Sequence, residues 1–530
     1  MEALRMKKQR QFLLLALLLV LVGCTPKQEE PDNDNDQDVI EIESRILAFF
    51  NEPNFSGDLP DTFNTYYFNE SALPYVNIED LFGLLNGIDG PVSLSSSWVD
   101  DVFYAHHEST VIENEVDYEY TLEIDPALNQ IKTDSAWFAK QDSLVKAQFL
   151  YTDLYTYTRD NTQGYTIDLN DYGFNVEYVN EQMYLPLTVA TLLFTPDYVN
   201  LYYNHEELYL FEVGYYPYMR ESSLKGTEIP YEIMDATYNY LRLWFDYFYG
   251  LSPYVDLGDS ETFLAPFYTM IYDPDNHYQG VRYAIASFDD IHTTSYHNGI
   301  YAEEERYTDD LPDTISQPRW DAFLDAVEEL TDYCVNETEG RTYLSDQTVR
   351  IHTKNISTLS TRTIQIHLEH IAENEAVENI VLDLSCNLGG TIRDMIDLIS
   401  LMTDEMITFT RVYTVDGTVV ELTFQSNQDV KSYNWYILVS PYTYSASNMF
   451  TSLVKEHNLG TIIGMQPAGG SSSTDLTVTP SGMTYVYSSP LHVITQEGIS
   501  YEFGVPVDIE ISYEDYYDVE AILSYIETEE

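Results

Sequence analysis

Positive charge is scarce in this chain. Its 530 residues carry 24 lysines and arginines against 88 aspartates and glutamates, a formal charge of −64. A surface so acidic repels phosphate backbones and anionic headgroups, which excludes nucleic acid and an anionic-lipid docking face as partners. Cysteine is scarcer still, with Cys24, Cys334 and Cys386 the whole complement. Three thiols do not make a disulfide scaffold at this length. Cys334 and Cys386 are read as small buried hydrophobes rather than as a bridge. Lysine is missing altogether beyond Lys455. After the first 24 residues no segment is apolar enough to span a bilayer, which takes about 20 residues.

What is present divides the chain into five stretches. Residues 1–24 join a basic start, "MKKQR", to the apolar run "FLLLALLLVLVG", the pattern of an export signal. Its end, Leu21-Val22-Gly23-Cys24, resembles the lipobox of bacterial lipoproteins. That resemblance implies lipidation at Cys24, a membrane partner reached through an N-terminal lipid anchor, and a body on the outer face of the bacterial cell membrane. Residues 25–40, "TPKQEEPDNDNDQDVI", are acidic and without periodicity, and are read as a disordered tether.

Residues 41–230 are β-rich, with aromatic and β-branched residues in partial alternation. Two phrases within them rhyme. "LPYVNIEDLFGLL" (73–85) and "YLPLTVATLLF" (184–194) each predict a strand running into a short apolar helix. Similar phrases occur in exported proteins with a copper-amine-oxidase-N-like module, so the two are read as arms of one structural module or an imperfect repeat. Residues 231–345 turn helical: "YEIMDATYNYLRLWFDYFYG" puts Ile233, Leu241, Trp244 and Phe245 at helical spacing, with Gly250 as a stop. A polar turn, "FDDIHTTSYHNG" (288–299), follows. Residues 346–530 alternate strands with helices, which predicts crossover units and a mostly parallel sheet with an antiparallel insertion. Ligands in such sheets bind at the carboxyl ends of strands.

Three of those strand ends attract attention. "VLDLSCNLGGTI" (381–392) puts two glycines before a helix, where free N–H groups serve an oxyanion, or where a tight turn simply needs positive φ. "ILVSPYTYSASNMF" (437–450) places Ser445 at a strand-to-helix joint, as an exposed nucleophile or as a helix cap. "GMQPAGGSSSTD" (464–475) predicts a flexible polar loop.

In this order the three turns resemble the core of the C-terminal-processing serine peptidases and their tricorn-like relatives, over residues 235 to 520. The resemblance implies a crotonase-like α/β core built of ββα units, with the β-rich N-terminal region added to it. It implies a peptide or protein substrate, with no metal or cofactor. Ser445 then resembles the nucleophile, and the N–H groups of Gly389 or Gly390 and of Ala446 resemble the oxyanion donors. Asn448 stands where many relatives have Glu, and Ser385 where many have Arg. The lysine that activates serine in the processing peptidases would fall near Gly470, and this chain has none there. Tricorn-like relatives use a histidine instead. On that resemblance His292, in the Asp-x-His-Thr phrase, is the candidate base, with His297 its neighbour and competitor. Glu502, in "SYEFGVPVDIEI", is the candidate carboxylate that steadies the imidazolium. His367 and His370 share a helix face at i, i+3, a metal-compatible spacing without a third ligand. The stretch between His292 and residue 349 is too short for the peptide-reading domain of many processing peptidases. The expected function is an exported, lipid-anchored serine peptidase with a Ser-His-Glu site. The alternative is an inactive peptidase fold that binds peptides or a cell-envelope partner.

Overall fold

The computed structural model describes residues 41–527, apart from 52–54, 89–92, 111–116, 134–147, 161–163, 197–198, 213–221, 256, 304–310 and 313. Cys24, the export signal and the tether lie outside the described residues. From Ile42 onward the chain forms one compact unit, a mixed α/β fold of four sheets. Among the described residues no helix is long and apolar enough to cross a membrane.

One six-stranded sheet carries the three turns. Strand Gly340–Tyr343 pairs antiparallel with Thr348–His352. From there Thr348–His352, Asn379–Asp383, Asn434–Val439, Thr461–Gly464 and Ile509–Glu510 run parallel. Leu382 faces Ile437, which faces Ile462. Strands Asn379–Asp383 and Asn434–Val439 are buried almost throughout, as expected where helices cover both faces of a parallel sheet. The crossover helices begin on side-chain caps. Ser357 and Ser360 form a reciprocal capping box before helix Thr358–Ala372, and Thr391 accepts from Asp394 N–H before helix Ile392–Ser400. Caps of this kind satisfy N–H groups that the helix itself leaves unpaired.

A second sheet brings in the predicted histidine. Its spine is the strand Met483–Ile494, hairpinned to Ser472–Val478 and paired antiparallel with Ile407–Tyr413. The polar stretch around 471–475, predicted to be a flexible loop, is therefore largely strand, with Ser471, Ser472 and Asp475 buried. Its hydroxyls and carboxylate find partners inside the fold, so serine content there does not mean solvent. The predicted polar turn after His292 also continues as strand, Thr294–Asn298, on the other edge of Met483–Ile494. Thr294 faces Val486. Extending that register two residues sets His292 opposite Ser488.

The N-terminal stretch enters the same framework. Strand Thr152–Asp160 pairs with Val419–Ser426, and the Asp397 carboxylate accepts from the N–H groups of Leu150 and Tyr151. The two rhyming phrases fold alike, as strand Tyr75–Asn77 with helix Ile78–Asn86 and strand Gln182–Pro186 with helix Leu187–Phe194. The two strands pair antiparallel, and Phe82 meets Phe194 edge-on at 5.0 Å. One hydrophobic core spans residues 47–302 and takes in Leu476, Val478 and Tyr485 from the hairpin. A second lies between the helices and sheets of residues 349–505.

The cysteines correct the reading from sequence. Cys334, on helix Pro318–Asn336, is bonded to Cys386 in the turn after Asn379–Asp383. A sequence separation of 52 hides a contact that the fold creates. Cross-linking a loop of that length constrains the unfolded chain, a stabilisation of about 2–4 kcal/mol. Replacing both cysteines with serine is expected to lower the guanidinium unfolding free energy by about that amount, while leaving far-ultraviolet dichroism intact.

Candidate active site

The three predicted turns converge at the carboxyl ends of adjacent parallel strands. They are laced together by backbone hydrogen bonds. Tyr444 N–H donates to the Asn387 carbonyl at 3.1 Å, Ala468 N–H to the Thr443 carbonyl at 3.2 Å, and Ser445 N–H to the Gly469 carbonyl at 2.9 Å. Thr443 Oγ1 donates to the Leu384 carbonyl at 2.8 Å, and Ser447 Oγ to Asn387 Oδ1 at 2.5 Å.

Ser445 sits at the head of helix Ala446–Glu456 with φ 58° and ψ −126°. A non-glycine residue in that region costs on the order of 1–3 kcal/mol and persists only where surroundings enforce it. Here the side chain makes no capping bond to the helix. It is half-buried and its hydroxyl bonds to none of the described residues. The capping alternative therefore has no hydrogen bond behind it.

Gly389 packs against this joint. A Cβ there would lie 2.9 Å from Ser445 Cβ and 2.9 Å from Ala446 N. At Gly390 it would lie 1.8 Å from the Ile356 carbonyl oxygen. Only glycine fits at either position. Gly389 N–H is already committed to Asn387 Oδ1 at 2.9 Å. Among the described hydrogen bonds, neither the Gly390 nor the Ala446 N–H has an acceptor, so these two are the donors available at the serine.

His292 reaches the same place from the second sheet. Its ring packs on Tyr444, the residue before the serine, at 4.7 Å between centroids. A Cβ on Gly470 would meet the Tyr444 ring at 2.7 Å and the His292 Cε1 at 3.1 Å. The imidazole thus abuts the Gly469–Gly470 turn that holds Ser445 N–H. Nδ1 lies 3.4 Å from Ser488 Oγ, as the strand register dictates. Nε2 is buried without a partner. Burial pushes the imidazole pKa down to about 4, with Asp290 pulling upward and Arg319 downward. The ring is therefore neutral, and able to accept a proton, across the physiological range. His297 is elsewhere. It lies against Tyr202, Nδ1 to phenol oxygen 3.2 Å.

The two aspartates before His292 divide the work of placing it. Asp290 accepts from His292 N–H at 3.0 Å and from Thr293 Oγ1 at 2.6 Å, folding the turn. Asp289 accepts from the N–H groups of Arg319 and Trp320 at 2.7 and 2.9 Å. A carboxylate so placed caps the positive end of helix Pro318–Asn336.

Glu502 is fully buried in the next shell outward. Its carboxylate accepts from Ser471 N–H at 2.6 Å and from Arg319 Nη2 at 3.1 Å, and its carbonyl accepts from Gly470 N–H at 2.9 Å. No hydrogen bond joins it to His292. Burial pushes its pKa up to about 7, against the pull of Arg319. Asn448, in the place of a family glutamate, ties the closing segment to the serine helix through the Tyr501 carbonyl at 3.0 Å and Val505 N–H at 3.1 Å. Ser385 is buried, bonding Asp383 at 2.5 Å.

Residues without any phrase to mark them also belong here. His492 bridges Ser472 Oγ at 2.9 Å and Ser500 Oγ at 2.7 Å, stacks on Tyr254 at 4.4 Å, and stands 4.0 Å from Glu502. Burial, then the nearby His292, drive its pKa down to about 3. Ser488 and Arg319 were equally silent in the sequence. His367 and His370 lie on helix Thr358–Ala372. Among the described residues no group of three or more histidine, cysteine, aspartate or glutamate side chains is arranged for a metal ion.

A half-buried serine on a strained strand-to-helix joint, two free N–H groups and a neutral imidazole beside them have the elements of acyl transfer to serine. Residues 348–511 match the profile of Peptidase family S41. The matched segment is similar to that family and holds the three turns, while His292 lies outside it. Among solved structures it is similar to a photosystem II D1 C-terminal processing protease, at 18% identity over 32% of this chain and 43% of that one, with a TM-score of 0.28. A putative peptidase from Parabacteroides merdae aligns at 17% identity over 55% of this chain and 94% of that one, TM-score 0.43. The tricorn protease aligns at 10% identity over 83% and 47%, TM-score 0.33. The chain thus spans less than half of the D1-processing and tricorn structures. No curated protein matches it.

The buried groups give stability a definite dependence on pH. His292 and His277, at about 4, and His492, at about 3, all lie below the 6.5 of a free imidazole. The unfolded chain therefore takes up protons that the native state refuses, and stability is lost as pH falls from 6.5 toward 4. Glu502 works in the opposite sense. Its native value of about 7 exceeds the ordinary 4.5, so its contribution is lost as pH rises from 4.5 to 7. Three histidines outweigh one glutamate, and urea stability should increase with pH between 4.5 and 6.5. Glu502→Gln should steepen that rise by about 1 kcal/mol per pH unit, read from denaturation curves across the interval.

Proposed function

We propose that this protein is an exported, lipid-anchored serine peptidase that cleaves peptide bonds by acyl transfer with a Ser-His-Glu type site. Its core is read as a crotonase-like arrangement, with the β-rich N-terminal region as an added module. The observation that carries this reading is the imidazole over Gly470. Where the processing peptidases present a lysine, this chain has no side chain at all, and the Tyr444 ring and His292 together close the space a side chain would take, with His292 Cε1 3.1 Å from the Cβ position.

The proposed steps follow from the contacts. Nδ1–H of His292 donates to Ser488 Oγ, which leaves the Nε2 lone pair for the Ser445 hydroxyl. Nε2 takes that proton as Oγ adds to the scissile carbonyl. The oxyanion is met by the N–H groups of Ala446 and of the Gly389–Gly390 turn, Gly390 being the one with its N–H free. The imidazolium then protonates the leaving amine, and the acyl-enzyme is hydrolysed by water activated the same way. Asp290 is the carboxylate whose charge favours the imidazolium. Glu502 contributes through the Ser471 and Arg319 contacts that border it. The rival reading, an inactive fold that binds peptides, lacks support from a base so close to the serine turn.

A fluorophosphonate probe should label Ser445 in the purified protein and fail to label Ser445→Ala. His292→Ala should slow labelling by about 10²–10⁴-fold. Equal labelling of the serine variant would refute the assignment. For the anchor, metabolic incorporation of radioactive palmitate is expected in the wild-type chain and absent from Cys24→Ser.

A further inference from the structure

Three of the site's parts sit on separate pieces of chain. His292 lies on a turn before one strand, Glu502 in the closing segment, and the oxyanion turn follows Asn379–Asp383. Helix Pro318–Asn336 touches all three. At its start, the Arg319 and Trp320 N–H groups hold Asp289 in the His292 turn. The Arg319 guanidinium donates to Glu502 Oε1 at 3.1 Å and to the Glu502 carbonyl at 3.3 Å. It also lies over the Phe503 ring at 4.6 Å. At the helix's far end, Tyr333 donates to Asp383 at 3.0 Å, and Cys334 is bonded to Cys386.

We propose that Arg319 is a positioning residue for acyl transfer, one that holds the Glu502 segment and the His292 turn in register with each other beside Ser445. The inference rests on the reading of Ser445, His292 and Glu502 as the reacting site. Arg319 joins the two segments with different parts of itself. The backbone N–H engages the histidine side and the side chain engages the glutamate side. The planar guanidinium lies over the Phe503 ring, a stacking that a compact ammonium does not reproduce, while Nη2 alone reaches the carboxylate and the carbonyl of Glu502. The glutamate carbonyl it grips also receives Gly470 N–H, and Gly470 is the residue that faces the imidazole. A displaced Glu502 would therefore shift the floor under His292. A misplacement of about 1 Å can cost about 10²-fold in rate.

Charge is the second consequence. Glu502 is faced by Asp290 from the His292 turn, by His492 from the Met483–Ile494 strand, by Tyr249 and Tyr254 after helix Tyr231–Tyr247, and by Tyr444 from the serine turn. Arg319 is the cation in that set, and it favours the ionised carboxylate.

The test is the rate at which a fluorophosphonate inactivates Ser445, followed from pH 5 to pH 9 in wild type, Arg319→Met and Arg319→Lys. In Arg319→Met the rate should fall about 10²-fold, and the midpoint of the pH profile should move upward, because a carboxylate without its cation holds its proton longer. Arg319→Lys, which keeps the charge but not the planar head stacked on Phe503, should restore the midpoint and recover only part of the rate. A purely structural role would change unfolding temperature without moving the midpoint. Wild-type rate and midpoint in Arg319→Met overturn the inference, as does a slower rate at an unmoved midpoint. If Arg319→Met does not fold, Arg319→Gln is judged by the same two readings. Failure of the wild type to react at Ser445 would refute the peptidase reading itself and this inference with it. Reaction of the wild type with no effect of Arg319 refutes the inference alone.

Discussion

The hydrogen bond from Ser445 N–H to the Gly469 carbonyl is the joint on which the rest of the structure turns. It fastens the serine elbow to the loop from the neighbouring strand, and it holds the serine in a backbone conformation that few residues adopt unforced. The neighbours on each side are glycines because there is no room for anything else. Gly389 touches the serine side chain on one flank, and Gly470 gives way to the Tyr444 ring and the imidazole packed on it on the other. The empty side-chain positions shape the site as much as the functional groups do.

Around that joint the burial of charge is extensive. His292, His492, Glu502, Asp290 and Arg319 share a space largely closed to water, and their ionisation is set by the competition between desolvation and a few fixed partners. Desolvation wins for the imidazoles, keeping them neutral. For Glu502 it outweighs the guanidinium and lifts the carboxyl to about 7, so the group lies close to its own midpoint under ordinary conditions. A group so poised responds to small shifts in its surroundings, which is why the position of Arg319 matters.

Much of this was legible in the residues. The strand–helix alternation after 346, the three glycine- or serine-bearing turns and their order are local signals, set by hydrophobic period and turn chemistry. The Asp-Asp-x-His-Thr phrase was visible as well, although the helix that Asp289 caps lies some thirty residues on. The signals that failed are those of contacts between distant stretches. Polar residues 471–475 read as a loop because serine and aspartate favour turns, whereas here Glu502, His492 and the strand ladder satisfy them. The bond between Cys334 and Cys386 depends on a helix lying against a turn. His492, Ser488 and Arg319 carry no motif, and only the antiparallel register of Met483–Ile494 or the entry of helix Pro318–Asn336 brings them in. Sequence reported the chemistry that sits on one element and was silent about chemistry shared between elements.

Strand Thr152–Asp160 completes the sheet edge at Val419–Ser426, and Leu150 reaches an aspartate 247 positions later. The amino-terminal stretch is therefore not an appendage that can be trimmed away. Removing it would bare a row of unpaired peptide groups on Val419–Ser426, the kind of edge that invites chains to stick together. The same pairing delays maturation: the first half of the polypeptide must wait, with its own edge open, until the second half has been made. Loop closure over such distances is slow, and the nascent molecule is at its most vulnerable in that interval.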